Sequence, residues 1–168
     1  MAAHRFFRQD INGFSEAVDQ ALSINPNNAQ AKGDIANFLA LAGFDDKAFA
    51  LAEDAQQLNP VPTWGAQFAF YIVHFRQHDY RQSLTEISKV PLVDFYWYQS
   101  HLAAVYGHLG ETVRAQEAAA KLRSLYPEFA ANSRELLGFW FWTGDDAFVR
   151  DYIDGLRKAG LDIPEQTN

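Results

Sequence analysis

A short pattern returns along this chain at a nearly constant interval, and that interval restricts the fold more than any other feature. "EAVDQALSINPNN" (16–28) and "AFALAEDAQQLNP" (48–60) align with each other, setting Pro26 against Pro60. The tight turns supply an independent ruler. They fall at Gln9 in "RQDI", Gly43 in "AGFDD", His78 in "QHDY", Gly110 in "LGET" and Gly144 in "TGDD", in steps of 34, 35, 32 and 34. A period of roughly 34 residues is the length of one helix pair stacked on copies of itself. A single pair cannot bury its apolar face alone, so the chain must fold as an array of pairs, all of them helical.

Each unit reads as helix A, tight turn, helix B and linker. In the second unit helix A is expected over about residues 29–42 and helix B over about 46–58. Gly43 suits the end of helix A, because a residue without a Cβ enters the left-handed region freely. Asp45 is the expected cap of helix B. Ala48, Ala52 and Ala55 recur at i, i+4 and i+7 and form a small-residue stripe that lets the helix lie close to its neighbours. Pro60 stops the helix. The fourth unit repeats the scheme in "YWYQSHLAAVYGHLG" and "TVRAQEAAAKLRSLYP". Leu102, Ala103 and Tyr106 are expected to face inward, followed by a stripe of Ala115, Ala119, Leu122 and Leu125 that ends at Pro127. The third unit departs from the scheme, with His78 where glycine is usual and a helix B that ends early at Val90-Pro91.

"LAAVYGHLG" and "ALSINPNN" carry the residue pattern best, and on it the chain resembles the tetratricopeptide repeat proteins. The resemblance implies a right-handed α-solenoid of about four and a half helical hairpins. These are a partial repeat at 4–26, repeats at 29–60, 63–91 and 96–127, a terminal repeat at 130–160, and a tail at 161–168. The segment from Tyr126-Pro127 through "LRKAGL" (156–161) to Pro164 is similar to the last repeat of bacterial multidomain regulators. In those proteins such arrays follow a nucleotide cyclase or a winged-helix domain. That narrower likeness implies a regulatory role in a bacterial cytoplasm. The opening "HRFFRQDINGF" reads as a hairpin entered midway, which predicts a fragment with a supplied Met1. The open reading frame upstream tests that expectation.

Solenoids of this type bind in their concave groove, and repeat position assigns that groove here. The assignment gives Gly33 and Asn37 in the second unit, and Phe68, Ile72, Phe75 and Arg76 in the third. It gives Trp97, Ser100, Ala104 and His108 in the fourth, and Arg134, Gly138, Phe141 and Trp142 in the last. The run Phe139-Trp140-Phe141-Trp142 points all around a helix, about 100° per residue. Leu136, Leu137 and Trp140 are expected inside, with Phe141 and Trp142 nearer the groove. Burying one such ring stabilises a fold by roughly 1.5–3 kcal/mol, so leaving it wet marks an interaction site. Aromatics and Arg dominate interface energies. The Lys/Asn/Arg clamp used on chaperone tails is unsupported, since Gly33 stands at the position that would partner Asn37. The expected ligand is therefore an apolar or amphipathic segment of a protein. Alternatives are self-association through the aromatic helix and a small-molecule sensor.

The sequence carries little that points to catalysis. No GxSxG, P-loop or GxGxxG motif occurs. The pairs Asp45-Asp46 and Asp145-Asp146 begin helices, where the dipole and capping favour acids. His74 and His78 at i, i+4, and His101 and His108 at i, i+7, have spacings that can hold zinc with Asp79 or Glu111. A dense ligand set is lacking, however, so neither metal nor cofactor is expected. The absence of cysteine removes thiolate sites and disulfides. A net charge of −7 argues against a sequence-independent nucleic-acid grip. The longest apolar stretches fall short of the ~18 residues that span a bilayer. Non-catalytic protein recognition is the expected function.

Overall fold

The computed structural model describes residues 2–59, 61, 63–143 and 146–165. The expectations placed on Met1, Pro60, Pro62, Gly144, Asp145 and the last three residues lie outside that set. The described residues form ten helices and no strand. In order these are α1 (Ala2–Phe7), α2 (Ile11–Ile24), α3 (Ala29–Leu41), α4 (Asp45–Leu58), α5 (Trp64–Arg76), α6 (Tyr80–Ile87), α7 (Tyr96–Leu109), α8 (Thr112–Leu125), α9 (Phe129–Trp140) and α10 (Asp146–Lys158). The chain divides into two compact units, with the boundary inside α5 after Val73.

The turns share one geometry. Gln9, Gly43, His78 and Gly110 all have positive φ, at 58°, 81°, 60° and 71°. In each turn this residue's N–H donates to the carbonyl three residues back, and the next N–H donates to the carbonyl five before it. The first pair is Gln9 to Phe6 at 2.8 Å and Asp10 to Arg5 at 3.1 Å. Gly43 and Phe44, His78 and Asp79, and Gly110 and Glu111 repeat it. This double bond satisfies carbonyls that a helix end leaves open. Gly160, after α10, makes the same turn at φ 87°.

The residue after each left-handed residue caps the next helix, so the caps are Asp10, Phe44, Asp79 and Glu111. Asp10 and Asp79 accept from the N–H groups of Gly13 and Gln82 at 2.9 and 3.1 Å. Asp45, the expected cap of α4, is instead its first helical residue. The turn geometry fixes the cap one position earlier, and Asp45 and Asp46 serve the helix dipole. The opposite helix ends also match. Asn25, Asn59 and Tyr126 leave the helical region, at φ −143°, −139° and −146°. Each precedes a proline, whose ring disfavours helical backbone at the residue before it.

In the first unit α1 packs on α2 and α3 on α4 as hairpins. Phe6 is fully buried between Phe14 and Phe38, with ring centroids 5.8 and 5.0 Å away. Ala48, Ala52 and Ala55 form the buried stripe expected of α4. Helices α3 and α5 meet at two glycines. A Cβ on Gly65 would lie 2.5 Å from the Gly33 carbonyl oxygen, and one on Gly33 would strike the Thr63 hydroxyl.

In the second unit α7 and α8 form the central hairpin, with Ala115, Ala119 and Leu122 of α8 fully buried. Ala103 is buried on α7 as expected, whereas Leu102, Tyr106 and Leu125 remain outside the core. Helix α6 packs on one flank of α7. Helix α10 lies along α7, with smaller contacts to α8 and α9.

Candidate functional site

The site of interest is the face of α7 that receives α10. Ser100, His101, Ala104, Gly107 and His108 line it at helical spacing. All are small or polar, and none is a large aliphatic residue. The helices cross at Gly107 and Gly155. A Cβ on Gly107 would come 2.1 Å from the Gly155 carbonyl oxygen, and one on Gly155 would come 2.5 Å from that of Ala104. Glycine inside a helix costs up to about 1 kcal/mol relative to alanine. Here the two glycines allow the backbones to approach directly.

Polar anchors flank the crossing. Tyr152 Oη stands 2.8 Å from Ser100 Oγ and 2.7 Å from His101 Nδ1, so the phenol can donate to one and accept from the other. His101 is held neutral, because burial pushes its pKa down to about 3. On the outer side, Tyr80 Oη donates to the Asp151 carboxylate at 2.9 Å. Burial, and then the Asp151 carboxylate, raise the Tyr80 pKa. His108 stacks on the Tyr80 ring with centroids 4.2 Å apart and planes 2° from parallel. Its Nε2 donates to the Asp151 main-chain oxygen at 2.8 Å, and its Nδ1 accepts from Lys158 Nζ at 3.3 Å. A carbonyl only accepts and an ammonium only donates, which fixes the Nε2–H tautomer of a neutral imidazole.

The second unit's predicted groove residues are brought together, but around a segment of the chain itself. Phe75 is fully buried against Phe148 and Tyr152, with centroids 5.4 and 5.5 Å away. The Arg76 guanidinium lies 4.9 Å over the Phe148 ring. Ser100, Ala104 and His108 meet α10 as described. Trp97 is 7% exposed and packs instead on α9, through Phe129 and Trp140. Arg134 donates to the Pro164 carbonyl at 3.1 Å, and Arg157 joins it at 3.0 Å, holding the chain that follows α10. Phe141 is 4% exposed and tilts onto Phe148 at 4.3 Å. In the first unit Ile72 is 2% exposed, while Asn37 and Phe68 are half-buried.

The expectation of an open aromatic groove is therefore corrected for Ile72, Phe75, Trp97, Ser100 and Phe141, which are core residues. For Phe141 the cause is local. Helix α9 stops at Trp140, so Phe141 leaves the helical register that aimed it at the groove. Trp142 is half-buried and Gly138 exposed. Leu137 is buried as expected, but Leu136 and Trp140 are not.

Sequence reasoning missed Tyr80, Asp151, Tyr152 and Gly155. The available signal was a glycine inside an otherwise amphipathic helix, which marks a close approach. The turn expected at His78 separates it from His74. Helix α5 ends at Arg76 and His78 is left-handed, so His74 and His78 are not one turn apart on one helix. Among the described residues no group of three or more His, Asp or Glu is placed to hold a metal ion. No helix among them is long and apolar enough to cross a membrane.

Part of the second unit's surface is aromatic. Phe139, 46% exposed, makes edge contact with Trp140, which reaches Trp97; Tyr96 and the 40% exposed Phe95 extend the patch. The described residues thus make an all-α protein of helical hairpins. No protein-family model matches the chain, and no curated protein matches it significantly.

Proposed function

We propose that this chain is a non-catalytic protein-recognition module of tetratricopeptide type. In this reading it is a right-handed solenoid of about four and a half hairpins that serves as the regulatory part of a larger bacterial cytoplasmic protein. The observation that carries the reading is the turn geometry. Left-handed residues with one hydrogen-bond pattern recur once per helix pair, at Gln9, Gly43, His78 and Gly110. Helix ends before Pro26, Pro60 and Pro127 keep the same phase. Hairpins of this kind provide rigid scaffolds, and the step from scaffold to recognition is one of analogy. The segment recognised is apolar or amphipathic, in keeping with the exposed Phe95 and Phe139.

A photo-crosslinking amino acid at position 139, introduced into the chain in cells, tests the reading. Crosslinks that map by mass spectrometry to one amphipathic segment of a protein support it. Crosslinks absent or scattered over unrelated proteins reject it. The exposed Phe95–Phe139 patch favours self-association as the second reading. Sedimentation across a hundredfold concentration range separates the two, because a constant monomer mass removes self-association.

A further inference from the structure

We infer that the aromatic surface running from Phe95 to Phe139 in the second unit docks a basic segment of another protein, with an apolar side chain seated on the rings and lysine or arginine on either side of it. The inference rests on the recognition reading above and names the charge of its ligand.

The charges beside the rings carry the argument. The rings form one connected patch. Phe95 meets Tyr96 at 5.3 Å, Tyr96 meets Trp97 at 5.5 Å, and Trp97 reaches Trp140 and through it Phe139. The two ends of the patch stay in water, and contiguous apolar area left there marks an interaction surface. The side chains along it are acidic. Asp94 precedes Phe95 and is 79% exposed. Glu128 is exposed at the start of α9 and precedes Phe129, whose ring lies 6.2 Å from that of Tyr96. Glu135 is exposed one turn before Phe139. The spacings from Glu128 to Glu135 and from Glu135 to Phe139 are helical repeats, which set all three on one face of α9.

Two cations lie close, and neither reverses the sign. Lys121 pairs with Asp94 at 2.8 Å, an exposed pair that holds its carboxylate weakly against a competing cation. Arg134, the one basic residue in α9, turns away from this face to donate to the Pro164 carbonyl at 3.1 Å. An acidic rim around an aromatic centre attracts a basic partner and repels an acidic one. A second copy of this chain, with its net charge of −7, brings the same rim to the contact. Nucleic acid and anionic lipid meet the same repulsion.

The test uses three fluorescent synthetic peptides of about 18 residues, or five helical turns, read by anisotropy against the full-length chain. One is an amphipathic peptide of leucine and lysine. The second keeps the lysines and replaces leucine by serine; the third keeps the leucines and replaces lysine by glutamate. The leucine–lysine peptide should bind about tenfold more tightly than either control, and more weakly as salt rises from about 50 to 300 mM. Phe139→Ser should lower that affinity about tenfold, and so should Glu128→Lys combined with Glu135→Lys. All three positions are exposed, and circular dichroism checks that helix content is unchanged. Equal binding of the leucine–glutamate peptide overturns the proposal. So does a leucine–lysine affinity that Phe139→Ser leaves unchanged, the sign of diffuse attraction to an acidic protein. Rejection of all three peptides overturns it as well; a dimer in sedimentation that Phe139→Ser dissolves then gives the patch to a second copy. The recognition reading fails separately. A segment crosslinked at position 139 that carries no excess of lysine and arginine sinks this inference alone, whereas crosslinks absent or scattered sink both.

Discussion

Both units contain a place where two helix backbones nearly touch, and the two places differ in which helices they join. In the first unit Gly33 of α3 meets Gly65 of α5, two helices on. In the second unit Gly107 of α7 meets Gly155 of α10, three helices on. The sequence device is the same, a helical glycine that removes a Cβ from a contact. In one case it joins helices two apart in the chain, and in the other helices three apart. A glycine at a crossing therefore specifies closeness, while the partner is chosen by the side chains around it. Thr63 stands beside Gly33, whereas Tyr152, Asp151 and His108 surround the second crossing.

The strongest way to separate the crossings is to fill both. Gly65→Ala and Gly155→Ala each drive a Cβ into a main-chain oxygen 2.5 Å away. Each should cost roughly 3 kcal/mol, the upper end for overpacking, measured by urea unfolding. Gly155→Ala should release α10 to hydrogen exchange and leave α7 and α8 protected. Equal losses in all three helices would erase the distinction.

Tyr152→Phe comes next. It strands Ser100 and His101 under α10, so a loss of about 1–3 kcal/mol is expected. A loss under about 0.5 kcal/mol, the size of an ordinary surface change, would mean that the anchors do not hold the second crossing.

The pH dependence sharpens the same point. An unfolded chain takes a proton on His101 near pH 6.5 that the folded chain refuses until about pH 3. Stability contributed by the neutral imidazole is therefore complete above that range and falls as pH drops through it. The slope approaches ~1.4 kcal/mol per pH unit. His101→Gln should flatten the profile between pH 6.5 and 4 relative to the unaltered chain; superimposable slopes would place His101 in water.

The smallest effect has the opposite sign. A Cβ on Gly138 of α9 meets nothing within 4 Å. Gly138→Ala should therefore raise stability by about 0.5–1 kcal/mol. A destabilisation there would show that the glycines of this chain cannot be ranked by what their missing Cβ would touch.

Much of the local structure was legible because local chemistry determines it. Gly43 and Gly110 mark left-handed turns, and spacing alone identifies Gln9 and His78, which adopt the same turn without being glycine. Prolines after Asn25, Asn59 and Tyr126 announce the opposite helix ends. The partners of a face were harder to read. Periodicity shows that one side of α10 is buried, and it does not say against what. Repeat position therefore left Ser100, Ala104 and His108 facing a groove, when the covering helix was already in the chain. Phe141 was misplaced for another reason, since extending α9 past Trp140 carried the helical register one residue too far.

The most direct measurement is nuclear Overhauser spectroscopy on the full-length chain with labelled glycine. The account predicts a strong cross-peak between the α-protons of Gly107 and Gly155, beside one between Gly33 and Gly65. A Gly107 whose α-protons see only α8 and α9, with the Gly33–Gly65 peak intact, would contradict it.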